Sequence, residues 1–161
     1  PTPALTAEYI CARVDATSLA ANVDALKVWS AYALQVEGGT FKGKRITYHD
    51  PCYLGRANNI YEAPRDLIKK LDAELVEMKS CKSKGLCCGA GGAQMFKDAE
   101  KGDKEVNIER TEEALEIQPD IIAAACPFCN TMMTDGVKNK QQEGKIQIMD
   151  IAELIANAND L

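Results

Sequence analysis

Five of the seven cysteines in this chain fall into one spaced pattern: Cys52, then Cys87-Cys88-Gly89, then Cys126-Pro127-Phe128-Cys129. Residues 53–86 separate the first cysteine from the pair, and residues 90–125 separate Gly89 from the CxxC. If these thiols act together, the fold must bring three distant segments to one place, and that limits the chain more than its composition does. The vicinal pair argues against disulfides. Bridged cysteines hold their α-carbons roughly 4.4–6.8 Å apart, whereas neighbours across a trans peptide lie about 3.8 Å apart. Cys87 and Cys88 are therefore better placed to share a centre than to oxidise onto each other. Five crowded thiolates repel unless a cation compensates them, and a soft, thiophilic metal or an iron-sulfur core supplies that charge.

Length and charge narrow the class. A chain of 161 residues, 46% of them hydrophobic, fits one globular domain with a sizeable core. The net charge is −5 and no Lys/Arg cluster interleaves with aromatics, so neither nucleic acid nor an anionic membrane surface is indicated as a partner. No apolar run approaches the roughly 18 residues of a transmembrane segment, and no basic region followed by an apolar stretch opens the chain. The expectation is a cytoplasmic chain with reduced, ligating thiols. It opens on Pro1 rather than Met, as a processed product or a piece of a longer protein would.

Residues 4–36 read as one or two helices, a leader of 1–43 that is set apart from a cysteine-rich domain of 44–161. Arg45 to His49 reads as a strand ended by Asp50-Pro51, placing Cys52 just beyond it. Pro64 suits a first helical turn, with Leu67, Ile68 and Leu71 at helical spacing. Glu74 to Met78 alternates as a second strand, Lys79 to Gly85 is a surface loop, and a helix runs from about Lys104 to Ile117. Ile121 to Ala125 is a continuous apolar run, as a strand buried on both faces shows. Pro127 opens the next helix, so Cys126 and Cys129 lie at a helix N-terminus that favours thiolates. Lys145 to Asp150 reads as a last strand and Ile151 to Ala158 as a last helix. The alternation predicts an α/β, Rossmann-like layered domain with a mostly parallel sheet flanked by helices. In such sheets ligands gather beyond the carboxyl ends of strands, where the cysteines fall.

Other residues near the pattern carry two readings each. His49, the only histidine, either caps the turn at the strand end or donates to a ligand sulfur or a leaving thiolate. Arg56 is either solvated or ion-paired, or meets an anionic substrate. Gly89-Ala90-Gly91-Gly92 lacks the G-x-G-x-x-G spacing of a nucleotide site; its glycines let backbone N–H groups approach the sulfurs. Glu109 to Glu116 reads as the wet face of a helix, Met132 and Met133 as packing. Cys11 and Cys81, outside the pattern, read as a buried thiol and a loop thiol.

Together with the words His49-Asp50-Pro51-Cys52-Tyr53-Leu54-Gly55-Arg56, Tyr61-Glu62-Ala63-Pro64-Arg65 and Cys87-Cys88-Gly89-Ala90-Gly91-Gly92, the pattern resembles the second repeat of the cysteine-rich CCG domain. That domain occurs in the B and D subunits of heterodisulfide reductases and in lactate and glycolate oxidase-type iron-sulfur subunits. The likeness runs from about Lys44 to Asp160. It implies that Cys52, Cys87, Cys88, Cys126 and Cys129 hold a noncubane four-iron cluster at which a disulfide or thiol substrate reacts, with no catalytic side chain assigned. Partners implied are a ferredoxin-type iron-sulfur module and a flavoprotein, in the cytoplasm or at a membrane complex through those partners. Residues 1–40 hold only Cys11, so a first repeat is degenerate, missing or replaced by helices. Two further readings stay open: an electron relay from a flavoprotein that oxidises a hydroxy acid or acyl-CoA towards quinone, and a zinc-stabilised assembly module.

Overall fold

A computed structural model of the chain describes residues 39–98 and 101–158. The expected leader therefore lies, as far as residue 38, outside the described residues, and Cys11 lies there with it. Four strands are described: β1 (Arg45–Tyr48), β2 (Glu74–Leu75), β3 (Ile121–Ala124) and β4 (Gln147–Asp150). The helices are α1 (Glu62–Lys70), α2 (Val106–Glu116), α3 (Pro127–Asn139) and α4 (Ile151–Ala158). The strands form one sheet in the order β2-β1-β3-β4, every pair parallel, with Ile46 opposite Ile121 and Ile122 opposite Ile148. The α/β layered fold is as expected. Among the described residues no helix is long and apolar enough to cross a membrane.

The apolar run of β3 works as its composition dictates. Ile121, Ala123 and Ala125 pack with Ile46, Tyr48, Leu67, Ile68, Leu154 and Ile155, in the layer that contains α1 and α4. Ile122 joins Ala114, Met133 and Val137 of α2 and α3 on the opposite side. Successive residues of a strand face opposite ways, so a central strand needs apolar side chains at every position.

The edges depart from expectation for local reasons. β2 is paired only at Glu74 and Leu75; the Val76 N–H adds one bond to Ile46 O at 2.9 Å, after which Glu77 turns to meet Arg65. β4 begins at Gln147 because the N–H groups of Lys145 and Ile146 close a turn on Gln142 O, at 3.1 and 3.2 Å. α1 starts two residues ahead of Pro64, which still lies in the first turn, where its missing N–H leaves no bond unmade.

Arg65 of α1 fastens the carboxyl end of β1. Its side chain is 1% exposed; Nη1 and Nη2 donate to both oxygens of Asp50 at 2.7 and 2.9 Å, and Nε donates to Glu77 at 2.6 Å. Its guanidinium lies 5.4 Å from the centre of the Tyr48 ring. The second Asp50 oxygen also accepts the Lys82 N–H at 2.7 Å, which ties down the loop that leads to Cys87. On the opposite face, α2 and α3 touch at Gly136, where an added Cβ would lie 1.9 Å from Thr111 Oγ1 and 2.9 Å from its Cβ.

These contacts set the expected cost of substitutions. Gly136→Ala gains about 1 kcal/mol of helix propensity, yet overpacks the fully buried Thr111. Denaturant titration should show a net loss of about 1–2 kcal/mol. Asp50→Ala removes one of the two carboxylates on the buried Arg65 guanidinium, leaving the half-exposed Glu77, and should cost about 3 kcal/mol. Lys69→Ala, which breaks the 3.8 Å surface pair with Asp66, should change stability by less than about 0.5 kcal/mol.

Candidate metal centre

Strand order reverses between β1 and β3, and chains leaving these two strands diverge to opposite sides, opening a crevice beyond their carboxyl ends. β1 delivers His49, whose N–H donates to Ala123 O at 2.8 Å, then Asp50, Pro51 and Cys52. Cys52 caps one π-helical turn, Tyr53–Ala57, where the Ala57 N–H reaches back to Cys52 O at 3.1 Å. Gly55 is required inside that turn, because a Cβ there would lie 2.7 Å from the Tyr61 ring. β3 delivers Cys126, in extended conformation, and Pro127 then starts α3 so that Cys129 falls in its first turn. The Cys87-Cys88 pair enters on the loop after Lys82–Lys84, and Gly89 turns the chain at φ +91°. A side chain at Gly89 would be strained and would press on Asn107 N at 3.3 Å.

The structure brings three of the five cysteines together and adds the histidine. Ligand atoms of His49, Cys88 and Cys129 all lie within 4.8 Å of one another, and all three residues are buried. The Cys126 sulfur joins through a hydrogen bond with Cys129, and Ala124, Ala90 and Met132 give the group an apolar wall. Cys52 is exposed on its π turn. The Cys87 sulfur accepts the Gly89 N–H at 3.3 Å. Neither of these two sulfurs belongs to the buried group. Cys81 is also apart from it, its thiol pushed up by burial and by Glu77.

Electrostatics set the three neighbouring sulfurs of Cys88, Cys126 and Cys129 apart. Hydrogen bonding to Cys126 and Cys88, reinforced by burial, pushes the Cys129 thiol far up. The same bond from Cys129 pulls Cys88 down against the cost of burial, with help from His49 and the Ala90 backbone. Cys126 is lowered chiefly by Cys129, again against burial, and then by the N–H groups of Cys129 and Phe128 at the start of α3. Thiolate-prone sulfurs in a dry pocket beside an imidazole are the donor set that zinc or an iron-sulfur core takes, and the residues present fit such a group.

His49 does not cap the turn with its ring. Arg110 Nε, from α2, donates to His49 Nδ1 at 3.0 Å, and both side chains are buried. The reading of Glu109 to Glu116 as a wholly wet face is thereby corrected. Glu112 pairs outward with Lys104 and Lys140, but Glu113 is 12% exposed and takes Arg110 Nη1 at 2.7 Å. The sequence carries a trace of this: Asn107, Arg110, Thr111 and Ala114 have the i, i+3, i+4, i+7 spacing of an inward face and are all buried. Arg56 is exposed, as the solvated reading expects, and among the described residues makes no ion pair; its Nη2 donates to Gly85 O at 2.7 Å and pins the Cys52 turn to the loop before Cys87. Met133 is core, and Met132 packs against the sulfurs.

Comparison with known proteins extends this picture. The chain is similar to the probable iron-sulfur-binding oxidoreductase FadF of Bacillus subtilis, 44% identical over 114 residues that are 70% of this chain and 16% of that protein. It is 38% identical over 122 residues to EtfAB:quinone oxidoreductase of Syntrophomonas wolfei, covering 72% of this chain and 17% of that one. It is 40% identical over 118 residues to the D subunit of the dihydromethanophenazine:CoB–CoM heterodisulfide reductase of Methanosarcina barkeri, covering 71% and 28%. The chain thus spans well under a third of each of these relatives. Residues 46–134, more than half of the chain, match the cysteine-rich domain family of CCG type, and the chain belongs to that family.

Proposed function

We propose that this domain holds an iron-sulfur cluster on Cys52, Cys87, Cys88, Cys126 and Cys129 and serves as the electron-transferring part of an oxidoreductase. The observation that carries this is the buried group of Cys88 and Cys129 with His49, joined by Cys126 at the end of the central strand. When bound, such a cluster supplies one-electron chemistry. Residues of the chain provide the rest. Asp50, Arg65 and the Lys82 N–H hold the cysteine-bearing loops in place, Ala124 and Met132 exclude water, and the Gly89 N–H offers a donor to sulfur.

Five cysteines in this spacing favour a noncubane four-iron cluster, since an ordinary cubane uses four. In this reading the domain works with a ferredoxin-type module and other redox subunits, in the cytoplasm or at a membrane through them, and reduces a disulfide as in heterodisulfide reductases. The 40% identity to a heterodisulfide reductase component supports it. A second reading, relay from an electron-transferring flavoprotein towards quinone, is favoured by the 38% identity to an EtfAB:quinone oxidoreductase.

Anaerobically loaded protein should be brown and contain roughly four irons and four sulfides per chain. Serine at any of the five cysteines should abolish that absorbance. If Cys52→Ser alone keeps a full cluster, the centre uses four thiolates; a colourless protein with one zinc sinks the iron-sulfur reading altogether. In stopped-flow mixing, the reduced cluster should be reoxidised by CoB–CoM heterodisulfide. Reoxidation by a quinone analogue only, together with reduction by a reduced electron-transferring flavoprotein, would decide for the relay.

A further inference from the structure

A buried arginine adjoins the sulfur group through the histidine. Arg110 is fully buried and Glu113 is nearly so, and Nη1 is satisfied by Ser80 O at 2.8 Å and Glu113 Oε2 at 2.7 Å. Those two bonds alone would make Arg110 a fastener between α2 and the loop before Cys87. They leave Nε, which donates to His49 Nδ1 at 3.0 Å. Guanidinium nitrogens only donate, so the Nδ1 they meet is a bare acceptor. The ring proton of a neutral imidazole then sits on Nε2, and a ring nitrogen of His49 lies within 4.8 Å of the Cys88 and Cys129 sulfurs.

We propose that Arg110 is a positioning residue of the centre: by occupying His49 Nδ1 it fixes the tautomer that turns Nε2–H toward the Cys88 sulfur and raises the reduction potential of a cluster held there. The physical step is short. Reduction adds negative charge that spreads onto the ligand sulfurs, and a donor aimed at a sulfur stabilises the reduced form more than the oxidised one. An imidazole free to change tautomer would for part of the time present a lone pair to the same sulfur, which repels that charge. Holding a ligand-side ring through its far nitrogen is a known way to orient imidazoles at metals; in this chain the ring acts on a sulfur and its holder is a cation, so Nδ1 cannot be the protonated atom. A fastener alone has no need of the Nε bond, and Arg110 Nη2 is buried without a partner among the described residues, a poor arrangement for a residue selected only for stability.

The effect on potential rests on the cluster reading above, whereas the tautomer does not, and the tests separate them. His49 is the only histidine in the 161 residues, so its two ring nitrogens give the only imidazole signals in ¹⁵N NMR of the full, metal-free chain. A protonated Nε2 and a bare Nδ1 are expected. A proton on Nδ1, alone or together with Nε2, overturns the proposal while leaving cluster binding untouched. On the loaded protein, redox titration followed by EPR should give a lower midpoint for both His49→Leu and Arg110→Gln. The change for His49→Leu should be about tenfold in the one-electron reduction constant, or ~59 mV. In the His49→Leu background most of the Arg110→Gln shift should vanish, because both changes remove the same hydrogen bond. An undiminished shift there would mean that Arg110 acts through its charge alone, and the proposal would fall. Arg110→Lys, which keeps a cation beside Glu113, runs the same cycle if the glutamine variant does not fold.

Discussion

The carboxylate of Asp50, buried two residues ahead of the first cysteine of the pattern, is the contact on which the arrangement of the rest depends. Both of its oxygens meet Arg65 and one also accepts the Lys82 N–H. Through it the end of β1, the start of α1, the exit of β2 and the loop that leads to Cys87 become one unit. Burying two charges costs several kcal/mol for each ion, and only close geometry with every oxygen and N–H satisfied recovers it. Such a contact adds little stability over a well-packed apolar pair. It does make any other placement of these segments expensive, because each alternative leaves a charge alone in the core. Cysteines at positions 52, 87 and 88 need that restriction, since their own backbone is loop.

The parallel sheet supplies the other half of the positioning. Parallel strands all end on one edge, and the order β2-β1-β3-β4 places the reversal between β1 and β3. His49 and Cys126 follow these two strands, and the Tyr48 to Ala123 pairing brings His49 level with Ala124, two residues before Cys126. Cys129 then comes from the first turn of α3, where free N–H groups and the helix dipole favour negative sulfur. The buried sulfurs are thus carried by regular elements, whose positions vary little, or by the glycine turn next to them. Cys52, on its π turn, is the exposed member of the pattern.

Much of this was legible in the sequence because it is periodic or punctuated. Ile121 to Ala125 announces a two-faced strand by composition, Pro127 announces a helix start, and the CxxC spacing places two sulfurs on that start. Ion pairs have no period: Asp50, Arg65, Glu77 and Lys82 are joined only by the fold, and nothing in their spacing predicts a shared carboxylate. Arg110 was hidden for a different reason. Charged residues dominate the helix Val106–Glu116, and on hydropathy alone its inner face of Asn107, Arg110, Thr111 and Ala114 is hard to tell from its outer one. The gathering of His49 with Cys88 and Cys129 likewise needs the register of β1 on β3, which alternation alone leaves undetermined.

Where the chain tolerates unfavourable contacts is itself informative. Among the described residues, four buried side-chain polar atoms lack a hydrogen-bond partner: Thr47 Oγ1, Tyr48 Oη, Arg110 Nη2 and Thr111 Oγ1. Each such group costs about 1–3 kcal/mol, a large sum against the total stability of a small domain. Three of them fall together. Thr47, on the same face of β1 as His49, and Arg110 with its neighbour Thr111 lie on the side of the sheet that α2 covers, whereas Tyr48 packs on the other side with α1 and α4. Apolar replacements of similar shape would relieve the cost at Thr47 or Thr111, yet the polar residues stand there in both strand and helix. Sequences are locally consistent except where function sets the terms, and in this domain three of the four unsatisfied groups, those of Thr47, Arg110 and Thr111, lie on the side from which His49 and Arg110 approach the sulfur group.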